Sequence, residues 1–336
     1  MSNILAFESS CDDTSVAVLD TSYRIMANLI SSQPQHLEFG GVLPELASRL
    51  HMKNILHLCD LALLKAGLSL QDIEAVAVSI NPGLIGSLIV GLSFAKSLAW
   101  ARSIPLITVN HLLSHIFANY IDHPDIEAPF MALVVSGGHT EMIHFKSETE
   151  FKVLGKTLDD AAGETFDKAA KLMGLGFPGG PILDKLSING DPDFYRFPRA
   201  LPKKDDYNFS YSGVKTAIRS YLQGQTTEYI KSHESDLAAS IQAAIVEPLV
   251  QKTIRKAKEL KLKRILLAGG VAANSRLRSE MEDKAGKIGI TVYYPSLQLC
   301  MDNAAMVGAA AIPKYKAGLI SPLDVNAFSQ KGTKLL

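Results

Sequence analysis

The sequence predicts an α/β protein made of two copies of one supersecondary plan facing each other across a cleft, and three observations predict it. Ile4–Phe7, the polar loop Glu8–Thr14 and Ser15–Leu19 read as strand, loop, strand; the pattern returns as Phe130–Val135, Ser136–Thr140 and Glu141–Phe145. Ala75–Ile80, a Gly-bearing turn and an apolar helix Leu88–Trp100 are echoed by Arg264–Leu267, Ala268–Asn274 and a helix Ser275–Ala285. The chain of 336 residues also lies past the ~250–300 at which one core divides into two.

Composition narrows the class. Lys plus Arg and Asp plus Glu both number 34, so the net charge is zero and any surface for nucleic acid must be local. Cys11, Cys59 and Cys300 lack the spacing of a zinc finger or a disulfide framework, which suits a reducing cytosol. Met1-Ser2-Asn3 runs into an apolar strand pattern without a basic leader, so a cytoplasmic location is expected. The longest uncharged run, Ala75 to Ala95, is interrupted by Asn81, Pro82, Gly83 and Gly86 and reads as strand, loop and helix, not a membrane span.

Taken in order, the first hairpin carries Glu8, Asp12 and Asp13 in its loop, groups able to hold a metal or to repel an anion, or simply to lie on a surface turn. A third strand, Ile25–Ile30, precedes Gly40-Gly41 and a helix from Pro44, a residue suited to a first turn; Glu45, Arg49 and His51 put polar groups on it, with Glu45 and Arg49 at pairing distance. Asn81–Ser87, between strand and helix, matches neither a P-loop nor a dinucleotide fingerprint, yet a strand, a Gly-rich turn and a helix N-terminus together make an anion site possible. Strand Ile104–Thr108 leads into Asn110-His111-Leu112-Leu113-Ser114-His115, where two imidazoles four apart on one helix face are able to share a metal ion.

In the second copy, Phe151–Leu154 supplies a third strand, and Glu164 and Asp167 share one side of a helix, placed for a ribose, an amino acid or solvent. Asp191–Tyr207, rich in Pro, Lys and Asp, reads as a long surface loop. The basic run Lys252, Arg255, Lys256, Lys258, Lys261, Lys263 and Arg264 is first a solvated helix face beside Glu259, and second a contact for a phosphate backbone. Asp302 opens an Ala-rich helix, where a carboxylate serves as N-cap or metal ligand; taken alone, the cap is favoured.

Nine stretches in order, from Glu8–Thr14 through Gly40–Arg49, Pro82–Leu84, Asn110–His115, Val134–Thr140, Gly163–Lys168, Pro178–Pro181 and Leu267–Arg278 to Cys300–Met306, resemble the TsaD family of tRNA adenosine threonylcarbamoyltransferases, once labelled O-sialoglycoprotein endopeptidases. The resemblance implies an actin-like ATPase fold with two RNase H-like halves around a central cleft. With it go boundaries at 1–118, 119–299 and 300–336, the last a helix returning to the first half. It assigns metal ligation to His111, His115 and Asp302, and substrate contacts to Val134, Val135, Ser136, Gly137, Gly138, Asp167, Gly180, Asp184 and Asn274. Asp13, Asn81 and Tyr211 depart from the family's usual Glu, Gly and Phe.

The reaction implied is transfer of threonylcarbamoyl from threonylcarbamoyl-AMP to N6 of adenosine 37, beside the anticodon, in tRNAs that read codons starting with A. The partners implied for a bacterial member are TsaB and TsaE, with no membrane. A His₂Asp donor set suits one Fe(II) per chain, with Zn(II) as the alternative. The residues add that the amides of Ser136–Gly138 are placed for a phosphate, and that Glu8 and Asp12 are candidate general bases. No Ser or Cys nucleophile with a paired base stands out, which favours direct attack by the amine. Two rivals are a non-catalytic nucleotide-binding module, which gives the metal residues no role, and a metalloprotease, whose H-E-x-x-H motif needs a Glu where Leu112 stands.

Overall fold

The first two strands are buried almost throughout, while the third, at the sheet edge, is mostly half-buried or exposed. They are β1 (Asn3–Glu8), β2 (Asp13–Asp20) and β3 (Ile25–Ser32), followed by α1 (Pro44–Ala66), β4 (Ala75–Asn81), α2 (Ile85–Arg102), β5 (Leu106–Asn110), α3 (His111–Phe117) and α4 (Asn119–Asp122). The sheet runs β3-β2-β1-β4-β5, antiparallel across β3, β2 and β1 and parallel across β1, β4 and β5. Leu5, Phe7, Val76 and Val78 meet Ile55, Leu58 and Ala62 of α1 and Leu92 and Ala95 of α2 in one core. The computed structural model describes residues 2–39, 41–199 and 206–329; Gly40 and residues 200–205 of the expected surface loop lie outside them.

The second series is β6 (Phe130–Val135), β7 (Thr140–Phe145), β8 (Phe151–Lys156), α5 (Ala162–Leu172), α6 (Gly179–Ser187), α7 (Ser212–Gln223), α8 (Thr227–Ser232), α9 (Glu234–Glu259), β9 (Arg264–Ala268), α10 (Ser275–Gly286) and β10 (Thr291–Tyr293). Its sheet order, β10-β9-β6-β7-β8, repeats the first strand for strand, with the same antiparallel and parallel pairs. Tyr211 is fully buried and its hydroxyl donates to the Ile245 carbonyl at 3.2 Å, so the extra oxygen is accommodated. The chain then returns to the first sheet with α11 (Ala304–Lys316), where a Cβ on Gly308 would stand 2.5 Å from Leu19 Cδ1.

Two compact units result, Met1–Ile126 with Pro295–Leu336, and Glu127–Tyr294. The divisions expected after residues 118 and 299 thus fall after 126 and 294. The returning segment is held early, since Ser296 N donates to Asp122 Oδ2 at 2.7 Å and so ties residue 296 to α4. A second difference concerns α2, which starts at Ile85 rather than Leu88. Gly86 lies inside its first turn, and a Cβ there would sit 2.5 Å from Ser48 Oγ, so this glycine serves the approach of α2 to α1. Among the described residues no helix is long and apolar enough to cross a membrane.

Candidate active site

In the first unit, β5 passes into α3 without a linker. Asn110 is the N-cap, its Oδ1 accepting from Leu112 N at 2.9 Å and Leu113 N at 3.1 Å. His111 therefore occupies the first helical position and His115 lies one turn on, with ring centroids 4.9 Å apart. Asp302 completes the group: its Oδ1 is 3.5 Å from His111 Nε2 and 3.1 Å from His115 Nε2. Asn303, not Asp302, caps α11 by accepting from Met306 N at 3.0 Å, which corrects the favoured cap reading and leaves the Asp302 carboxylate to the histidines.

The donor set fits a metal ion. Two atoms bound tetrahedrally at about 2.1 Å stand about 3.4 Å apart, and one ligand atom from each of the three residues lies within 4.8 Å of the others. Both imidazoles are buried while the Asp302 side chain stays 29% exposed, so the group opens on the carboxylate side. His115 Nδ1 is buried with no hydrogen-bond partner among the described residues, so its ring is not oriented by a bond on that side.

Glu8 supplies what sequence alone did not show. It ends β1, is 1% exposed, accepts from Ser10 N at 2.6 Å, and holds His111 Nδ1 at 3.0 Å. A carboxylate on Nδ1 fixes the proton there and turns the Nε2 lone pair toward Asp302 and His115, the arrangement that orients metal-binding histidines. Without an ion, burial disfavours the imidazolium, yet the carboxylates of Asp302 and Glu8 prevail and raise His111 to about 9. Ser10 Oγ also lies 3.1 Å from Nδ1, but that nitrogen is already engaged by Glu8 and cannot serve as base for the hydroxyl. We expect Glu8→Gln to weaken metal affinity by about 10–100-fold while the chain still folds; titration of the apoprotein with Zn(II) against a chelating dye checks this.

Asp12 is half-buried on the same loop beside the Cys11 thiol, which burial and Asp12 push up. His51 of α1, fully buried, ties this loop: its Nδ1 meets Thr14 Oγ1 at 2.7 Å and its Nε2 the Cys11 carbonyl at 3.0 Å. Sequence reading treated His51 as one more polar helix group. Its signal was position, midway along the buried stripe Ala47, His51, Ile55, Leu58 and Ala62.

In the second unit, Val134–Gly138 and Asn274, among the substrate residues expected from the resemblance, lie at or just beyond the C-terminal ends of β6 and β9, parallel neighbours whose onward connections leave in opposite directions, the usual ligand crevice of such sheets. Val134 and Val135 are buried in β6. Ser136–His139 forms a tight loop, with Ser136 N donating to the His139 carbonyl at 2.8 Å and His139 N to Ser136 Oγ at 3.2 Å. The amides of Gly137 and Gly138 have no acceptor among the described residues, and a Cβ on either would meet open space. Gly163, opening α5, approaches this loop so closely that a Cβ would lie 2.5 Å from the Ser136 carbonyl oxygen.

Of the remaining groups Gly180 and Asn274 stand at helix N-termini, while Asp167 and Asp184, each midway along a helix, accept from the N-terminus of another. Asp167 accepts from Gly179 N at 2.8 Å and also from the Gly180 amide; burial nevertheless raises its pKa. Asp184 accepts from Ser275 Oγ at 2.7 Å and from Gln242 Nε2 at 2.6 Å. Asn274 caps α10 through Leu277 N at 2.9 Å. Asn274→Ala is therefore expected to cost about 1 kcal/mol of stability through the cap alone. Asn274→Ser keeps the cap, so calorimetric AMP titration of both variants separates capping from ligand contact: weaker binding in both marks a contact.

The repeated five-stranded plan places the chain in the actin-like ATPase fold class. HypF of T. kodakarensis superposes with a TM-score of 0.64 at 14% identity, over 95% of this chain and 48% of that one. (R)-2-Hydroxyglutaryl-CoA dehydratase component A of Acidaminococcus fermentans gives 0.55 at 15% identity, over 94% and 99%. At these identities the likeness concerns the fold alone. Within that class the chain belongs to the TsaD family, tRNA N6-adenosine threonylcarbamoyltransferase, whose model matches residues 24–309. Among similar proteins, that of Moorella thermoacetica is 48% identical over 97% of this chain and 95% of its own length, and that of Kosmotoga olearia 46% identical over 96% and 97%; both are named tRNA N6-adenosine threonylcarbamoyltransferase. The chain is thus a transferase of tRNA modification.

Proposed function

We propose that the chain moves the threonylcarbamoyl group of threonylcarbamoyl-AMP to N6 of adenosine 37 in tRNA, in company with TsaB and TsaE. The N6 amine attacks the carbamoyl carbon, the bond from that carbon to the phosphate oxygen breaks, AMP leaves with the electron pair, and the amine gives up one proton. The observation that carries this reading is the His111, His115 and Asp302 group with Glu8 behind it, on a chain of this family.

His111, His115 and Asp302 would hold one Fe(II) or Zn(II), a choice the donor set leaves to metal supply. When bound, the ion supplies Lewis-acid polarisation of the carbonyl. In the second unit, the unpaired amides of Gly137 and Gly138 suit the donor phosphate, and Asp167, Gly180, Asp184 and Asn274 with the buried Val134 and Val135 and the half-buried Ser136 form the adenylate pocket. Glu8 is committed to His111 and Ser10, so of the two carboxylates considered as general base Asp12 is the one left to accept the proton.

The peptidase reading fails on local chemistry. Leu112, in place of the zincin Glu, is 1% exposed and apolar, and the carboxylate nearest the imidazoles that is not a ligand, Glu8, is bonded to the far nitrogen of His111. Treating the protein with a chelator should abolish transfer, and adding back Fe(II) or Zn(II) separately should restore it and name the metal. Full transfer by protein shown to be metal-free contradicts the role given to the three ligands.

A further inference from the structure

We propose that the exposed lysines where α9 ends, Lys258, Lys261 and Lys263, form a docking surface for the phosphate backbone of RNA. This rests on the reading of the chain as an enzyme acting on tRNA. Between residues 252 and 264 seven side chains are basic and one is acidic, in a protein whose charges cancel over the whole chain at 34 against 34. The single carboxylate, Glu259, is already engaged by the Tyr207 hydroxyl and by Lys256 Nζ, the latter at 2.9 Å.

The run divides by direction. Lys252 turns inward to the Asn208 carbonyl, and Arg255 and Lys256 pack on the Tyr207 ring, with Cζ 4.9 Å and Nζ 4.3 Å from its centroid. Lys258, Lys261 and Lys263 are exposed and form no ion pair among the described residues. Lys261 lies at φ 53°, where the chain turns out of α9, so three unneutralised ammonium groups fall within six residues. Of the three acidic groups on the packed α10, Glu280 pairs with Arg276 and Lys284 and Asp283 with Lys287, while Glu282 accepts from the Tyr294 hydroxyl at 2.7 Å and is the one carboxylate of that helix without an ion pair among the described residues.

The chemistry favours RNA over a protein partner. Leu260, 37% exposed, is the single exposed apolar side chain from 258 to 263, whereas protein interfaces depend on buried apolar or aromatic anchors. Compact, strongly hydrated charges without an anchor suit counterion release from a phosphate backbone.

The test compares wild type with the triple variant Lys258→Glu, Lys261→Glu, Lys263→Glu, and with its Gln counterpart. Unmodified tRNA is titrated by fluorescence anisotropy across a salt series, and KM for tRNA is measured in the complete transfer mixture. The Glu variant should bind tRNA at least tenfold more weakly. Its salt slope should be shallower by about 2–3, KM should rise while kcat changes less than twofold, and the Gln variant should fall between. Unchanged affinity and slope in the Glu variant, with its urea midpoint as in wild type, overturn the proposal. The two readings fail separately. Wild-type protein that binds tRNA through these lysines but makes no modified nucleoside sinks the reaction, and a triple variant with wild-type affinity and KM sinks the surface.

Discussion

His115→Ala is expected to leave a folded protein that has lost both its metal and its transfer activity. His115 Nε2 stands 3.1 Å from Asp302 Oδ1, and its Nδ1 bonds to nothing among the described residues, so the ring adds packing to the fold but no polar link on that side. Two donors remain, and an ion held by one imidazole and one half-exposed carboxylate exchanges with solvent. Transfer should fall about a thousandfold, roughly 4 kcal/mol of transition-state stabilisation. Asp302→Ala should behave alike. His111→Ala should be less clean, because it strands the buried Glu8 carboxylate without its partner, a change that costs about 3–5 kcal/mol. Elemental analysis of each variant beside a urea melt separates the two effects, and stoichiometric metal in His115→Ala would remove it from the ligand set.

The second large effect is on the fold of the second unit. Gly269 follows β9 at φ +86°, and a Cβ there would lie 2.5 Å from the Val135 carbonyl oxygen and 3.0 Å from its carbon. Both conditions oppose any side chain: φ +86° with ψ 170° is a region essentially confined to glycine and costs an L-residue about 1–3 kcal/mol, and overpacking against a fixed strand adds about 1–3 kcal/mol. Gly269→Ala should therefore lose about 3 kcal/mol in urea unfolding. It should also weaken AMP binding, because the backbone it displaces leads directly into Ser136–Gly138. An unshifted midpoint would mean that β9 and β6 do not approach this closely.

The duplicated α/β plan was legible because strand runs and glycines recur in the same order in both halves, and local patterns survive without knowledge of tertiary contacts. The histidine pair was legible for the same reason, since four residues on a helix fix one face. Asp302 was read first as a cap because position alone does not separate it from Asn303; the hydrogen bond to Met306 N does. The start of α2 was placed three residues late because Gly86 and Ser87 look like a turn, whereas the glycine answers to Ser48 on another helix. Glu8 was read as a loop carboxylate for a metal or a base but not as the partner of His111, since that bond spans 103 residues of chain and leaves no periodic trace. His51 had the same limitation, with partners 37 and 40 residues away.

The most direct measurement is mass spectrometry of the nucleosides of an unmodified tRNA with adenosine 37, after incubation with this protein, TsaB, TsaE and threonylcarbamoyl-AMP. Threonylcarbamoyl-adenosine should appear in amounts matching the AMP released, and should be absent with Asp302→Ala. Release of AMP with no modified nucleoside, together with metal-dependent cleavage of a glycoprotein by the same rigorously purified protein, would contradict the account.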